Sequence, residues 1–198
     1  MRRLDSRGVS LPEALVSTFF AVLFAAMMQQ FNRSVLRAVR GQEELGGAQQ
    51  AARVVTEIMT HELRLAGFSG AGQPLARLRV ASPQVIEIQA DLNGDGDIDD
   101  SNEIIGYRYD ETREALMRST GSAAPQPLID HVPAEDFTLR YRDDAGVELT
   151  GDLSPAQRDR VRLVEINLGV TYVSPDPAQP GTRVLRHTVF AELRNHSR

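Results

Sequence analysis

Between residues 91 and 103 the chain sets oxygen-bearing side chains at alternate positions around two glycines: Asp91-Leu92-Asn93-Gly94-Asp95-Gly96-Asp97-Ile98-Asp99. Such spacing around a sharp turn is what a hard cation needs, and Ca2+ takes roughly six to eight oxygens. Asp91, Asn93 and Asp95 would supply side chains, Asp97 its backbone carbonyl, and either Asp99 or Glu103 the closing carboxylate, with Gly96 permitting the turn. In an EF-hand the twelfth loop residue is a bidentate glutamate; here Asn102 holds that place and the glutamate follows one residue later, at Glu103. The flanks also read as strands. The expectation is therefore a calcium-binding β-hairpin loop carrying a structural Ca2+, set against a solvated acidic turn held by Asx hydrogen bonds. Crowding Asp91, Asp95, Asp97, Asp99 and Asp100 together creates like-charge repulsion that a divalent ion relieves.

A second residue stands out by its isolation. Glu13 is the one ionisable side chain between Val9 and Met28, in the run VSLPEALVSTFFAVLFAAMM. A carboxylate in hydrocarbon costs about 2.5 kcal/mol or more, and one that persists there marks a function. A helix of that length rises about 30 Å, roughly a bilayer core.

Other chemistry is poorly provided for. There is no cysteine, so neither a disulfide nor a thiolate metal site is available. His61, His131, His187 and His196 lack ligand spacing, and no serine sits in a Gly-x-Ser-x-Gly turn. The expectation is that the chain is not an enzyme. Net charge is -5, and all 22 basic residues are arginines scattered along the chain without a basic patch, so nucleic-acid binding is not suggested.

The elements that must position these residues begin with the apolar helix. A short polar stretch precedes it, containing Arg2, Arg3 and Arg7 and ending at Gly8. The residues after it, Gln29-Gln30-Phe31-Asn32-Arg33, make a poor small-residue cleavage site, so the helix is expected to remain on the mature protein. The arginines place the N-terminus in the cytoplasm and send the rest across the inner membrane.

Gly8-Val9-Ser10-Leu11-Pro12-Glu13 resembles the type III signal of type IV prepilins, a basic leader ending in glycine before an apolar helix with glutamate as its fifth residue. The resemblance implies that a prepilin peptidase cuts after Gly8 and methylates Val9 as the new N-terminus. It implies that Glu13 meets the N-terminal amine of a neighbouring subunit, the partners being other pilins or pseudopilins. Val9 replaces the usual phenylalanine, and Pro12 stands where an aliphatic residue is common, although proline suits a helix's first turn. Glu62-Leu63-Arg64-Leu65-Ala66-Gly67-Phe68 also resembles the end of that helix in PilW-like minor pilins. The implied function is a minor pilin of a type IV pilus. The alternatives are a J-type pseudopilin of a type II secretion system and, from another class, a membrane-anchored calcium-dependent adhesion module.

Beyond Met28 the pattern turns amphipathic, with Phe31, Val35, Leu36 and Val39 and then Ala52, Val55, Ile58, Met59 and Leu63 at helical spacing. Gly46-Gly47 could fray or bend the helix, and Gly67 offers its C-terminal stop. From Leu78 the period becomes two. Strands are expected at Val85 to Ala90, Ile104 to Tyr109, Ala115 to Arg118, Phe137 to Arg142, Val161 to Tyr172 and Arg183 to Leu193, with linkers at Gly121 to Gln126 and Ser174 to Gly181. The chain thus divides into a leader (1–8), an apolar helix (9–31), its amphipathic continuation (32–67) and a β-rich head (68–198). The expected class is α+β: a type IV pilin fold with a long N-terminal helix packed on an antiparallel sheet.

Overall fold

A computed structural model describes residues 10–174, 176 and 181–195. Its first element, α1, is one uninterrupted helix, Leu11–Leu65, about 82 Å long at 1.5 Å per residue. The first half is bare: Leu11–Leu36 has mean hydropathy 1.8, and none of it is buried. That stretch is long and apolar enough to cross a membrane, and it runs past the Phe31 boundary expected from sequence. Its hydroxyls are satisfied within the helix, Ser17 Oγ donating to the Glu13 carbonyl (2.8 Å) and Thr18 Oγ1 to the Ala14 carbonyl (2.7 Å).

The second half carries a different stripe. Ala48, Ala52, Val55, Met59, Leu63 and Ala66 recur at three- and four-residue intervals and are all buried in the head's core. Gly46 and Gly47 do not break the helix, because the i→i−4 ladder on either side holds them, and a methyl group at either would meet no atom within 4 Å. Gly67 follows with φ +75°, the left-handed turn that ends the helix. Asn195 closes that end from the far end of the chain, its Nδ2 donating to the carbonyls of Arg64, Leu65 and Ala66 at 3.3 Å each.

Among the described residues the head contains two antiparallel sheets, where one was expected from sequence. The first, in spatial order β1 to β5, comprises β1 (Leu78–Ala81), β2 (Val85–Gln89), β3 (Ile104–Asp110), β4 (Ala115–Thr120) and β5 (Gln126–Ile129). The second runs β7-β6-β8-β9, from β6 (Phe137–Asp143), β7 (Glu148–Leu149), β8 (Val161–Val173) and β9 (Thr182–Glu192). A 3-10 turn at Ala134–Asp136, entered through Pro133, separates them. Proline supplies no N–H to continue a ladder, so the chain changes sheets there.

The sheets share one core. Tyr109 stacks on Phe137 with ring centroids 6.2 Å apart, and its hydroxyl donates to the Val132 carbonyl (2.8 Å). The Tyr141 hydroxyl crosses to the Ser82 carbonyl (2.7 Å). A short helix absent from the sequence reading, α2 (Pro155–Arg160), lies against β1, where Arg158 donates to the Arg79 carbonyl and Arg77 to the Asp159 carbonyl. Strand β5 is not among the strands expected from sequence and begins at Gln126, the last residue of the expected linker, because Pro127 and the small residues before it hide its pairing with β4.

Between α1 and the first sheet lies a polar tie. Arg118 grips Glu62 through Nη2 (2.6 Å) and Nε (3.1 Å), and the fully buried Tyr107 donates its hydroxyl to the same carboxylate. Burial, and then the neighbouring carboxylate, pushes the Tyr107 phenol far above the usual tyrosine range.

Candidate functional sites: the helix start and the acidic loop

Glu13 sits at the third position of α1, where a helix start leaves backbone N–H groups unpaired. Its carboxylate accepts the Ser10 N–H at 3.4 Å and the Ser10 hydroxyl at 3.2 Å, one arm of a capping box. Both contacts are long and exposed, so among the described residues this carboxylate has only weak partners and no cation. Gly8 and Val9, the expected cleavage pair, lie outside the described residues, as does His196.

The acidic loop joins β2 to β3. The register pairs Gln89 with Ile104, and the Ala90 N–H donates to the Glu103 carbonyl (2.9 Å), closing the loop's base. Asp91 opens the loop and is pinned to the chain leaving α1. Its N–H donates to the Phe68 carbonyl (2.9 Å), and its own carbonyl accepts the Gly70 N–H (3.1 Å). Gly70 is required here, because a Cβ at that position would lie 2.7 Å from the Gly94 Cα.

The Asp91 carboxylate, 2% exposed, accepts N–H groups from Gly94 (2.6 Å) and Ala71 (3.2 Å) and the Ser69 hydroxyl (3.5 Å). Glu103, 1% exposed, accepts the Leu92 N–H at Oε1 (3.0 Å), while its Oε2 is buried with no donor. Asp95, on the exposed turn, completes a set of three: one carboxylate oxygen each from Asp91, Asp95 and Glu103 lie within 4.8 Å of one another.

The other expected ligands are placed differently. Asn93 orders the turn, its Oδ1 accepting the Asp95 N–H (2.9 Å) and its Nδ2 donating to Asp95 Oδ2 (2.7 Å) and Asp100 Oδ2 (2.6 Å). Asp95 Oδ1 then accepts the Asp97 N–H (3.1 Å), and Asp97 Oδ1 the Asp99 N–H (3.2 Å), a staircase of Asx turns. The Asp97 N–H, with Asn93, holds the Asp95 carboxyl below the usual carboxylate range, and hydrogen bonding with Asp97 and its charge hold that of Asp99 above it. Asp97 and Asp99 are exposed and stand outside the set of three.

The sequence signal found the loop but not its anchor. Ser69, Gly70 and Ala71, about twenty residues upstream, hold Asp91 in place, and nothing in their local pattern marks them for that task. An apolar cleft of about 580 Å3, lined by Glu44, Ala48, Ile129, His131 and Val170 among others, lies where α1 crosses the ends of β5 and β8. No protein-family model matches the chain, and no curated protein or solved structure matches it either.

Proposed function

We propose that this chain is a type IV pilin-like subunit of the minor-pilin kind, cut between Gly8 and Val9 by a prepilin peptidase and built into an envelope filament through α1. The observation that carries this reading is the two-part helix: Leu11–Leu36 is apolar and wholly uncovered, whereas Ala48 to Ala66 supplies one face of the head's core. An apolar surface that large requires a cover. The inner membrane provides one before assembly, and the helices of neighbouring pilins provide one afterwards. The arginine-rich leader puts the N-terminus in the cytoplasm and the head outside it.

Glu13 gives the assembly its register. Among the described residues its carboxylate is held by Ser10 through two long contacts, which a neighbour's new N-terminal amine can displace while supplying a positive charge. Buried between apolar helices, an unpaired carboxylate is costly and a paired one is tolerated, which favours the staggered packing over any other. The reading is tested by mass spectrometry on protein recovered from the native host. N-methylated Val9 is the expected terminus, and an intact leader in the presence of the peptidase would refute it.

A further inference from the structure

The head pairs its buried carboxylates with arginines. Asp136 meets Arg186 (2.6 Å), Glu165 meets Arg142 (3.4 Å), and Asp143 meets Arg160. Asp91 and Glu103 are buried at least as deeply, yet among the described residues no arginine forms a salt bridge with either. Their donors are neutral: backbone N–H groups and the Ser69 hydroxyl. Among the described residues Glu103 Oε2 is buried with no donor, as is Asp136 Oδ2, but the Asp136 carboxylate has Arg186 to balance its charge and that of Glu103 has no cation. Burying carboxylates without a compensating cation is costly, and leaving a lone pair unsatisfied adds to that cost. Nor is the geometry that of two acids kept apart, because Asp95 is drawn in to face them.

We propose that Asp91, Asp95 and Glu103 hold one Ca2+, and that this ion does for Asp91 and Glu103 what an arginine does for the head's other buried carboxylates. Glu103 is then the closing ligand, its Oε2 turned to the ion while Oε1 keeps the Leu92 N–H. Carboxylate oxygens gathered this closely suit a hard cation, and Ca2+ takes roughly six to eight oxygens in flexible geometry. Mg2+ demands a near-ideal octahedron and gives up its water reluctantly, so a set drawn from one loop holds it less well.

The ion also ties distant parts of the chain together. Asp91 is bonded to Ser69, Gly70 and Ala71, so a cation on its carboxylate fixes the segment leaving α1 against the β2–β3 hairpin. Binding is coupled to the order of the junction between helix and head. The site lies at the C-terminal end of α1, away from the apolar half, and its existence does not depend on the filament reading.

The test uses the full chain in detergent, stripped with a calcium chelator, in calorimetric titration and thermal melts. Calcium should bind at one ion per chain and raise the melting temperature by several degrees, and the chelator should reverse the shift. Magnesium at the same concentration should give less than about a third of it. Glu103→Gln should lose the calcium response, yet in chelator it should melt no lower than the wild type, because the variant removes a buried charge that has no counter-ion. Asp95→Asn, on the exposed turn and keeping the Oδ1 that accepts the Asp97 N–H, should weaken binding at least tenfold, whereas Asp144→Asn, an exposed acid elsewhere, should change nothing. The proposal is overturned if millimolar calcium produces neither heat nor a shift. It is equally overturned if Asp95→Asn binds like the wild type, or if Asp144→Asn weakens binding as much as Asp95→Asn.

Discussion

Replacing Glu62 with alanine removes the carboxylate through which α1 is tied to the first sheet. Three donors lose their acceptor together: Arg118 Nη2, Arg118 Nε and the buried Tyr107 hydroxyl. Breaking a fully buried ion pair costs about 3–5 kcal/mol, because one charge remains unpaired. Here the Glu62 side chain is 14% exposed and that of Arg118 31%, so water partly rescues the guanidinium and the expected loss falls to about 2–3 kcal/mol. For a chain of this size about 1 kcal/mol moves the melting temperature by about 2–4 °C, so the variant should melt about 4–12 °C lower. Near-ultraviolet circular dichroism of the full chain in detergent follows the transition, since four tyrosines and no tryptophan make up its signal with phenylalanine. In the double variant Glu62→Ala, Arg118→Met the orphaned charge is gone, and about 1–2 kcal/mol of the loss should return as coupling energy. A single variant within about 0.5 kcal/mol of the wild type would mean that the tie contributes nothing, and that apolar packing alone holds the helix on the head.

Three further outcomes follow from the same geometry. Gly46→Ala introduces a methyl group that meets nothing within 4 Å in an exposed helical turn, and should stabilise the chain by about 0.5–1 kcal/mol in chemical denaturation. Gly70→Ala places a Cβ against the Gly94 backbone and should loosen the junction of helix and loop, seen as faster amide exchange at Asp91 and Gly94. The Val147 N–H, with Arg160, holds the Asp143 carboxyl below its ordinary value. The stability it contributes is complete above the unfolded carboxylate range, near pH 4, and is lost as pH falls through the lower folded value, so Asp143→Asn should flatten the acid limb of the stability curve below about pH 4.

Much of the scaffold was legible because its periodicities are strong. The stripe from Ala48 to Ala66 reads as helix and is helix, and the strands expected at Val85 to Ala90, Phe137 to Arg142 and Val161 to Tyr172 are within a residue or two of β2, β6 and β8. What could not be read is what depends on distant partners. β5 hides behind Pro127, because a strand of four residues with a proline has no pattern of its own. α2 is a single six-residue turn stabilised by Arg77 and Arg158 reaching across to and from β1, contacts no local propensity encodes. Two sheets replace one because Pro133 and the 3-10 turn redirect the chain between β5 and β6. The acidic loop announced its composition, but the depth at which Asp91 and Glu103 lie emerges only from the fold, where the exit of α1 closes over the hairpin.

The proposed role of α1 as an assembly element whose register Glu13 sets is tested by comparing wild type with Glu13→Ala in the native host, measuring each protein in the membrane fraction and in sheared filaments. The variant should be inserted and processed like the wild type but depleted at least tenfold from filaments, since Glu13 is the one carboxylate in Leu11–Leu36. Incorporation of Glu13→Ala at the wild-type level, or the absence of the wild type itself from filaments, would contradict that role.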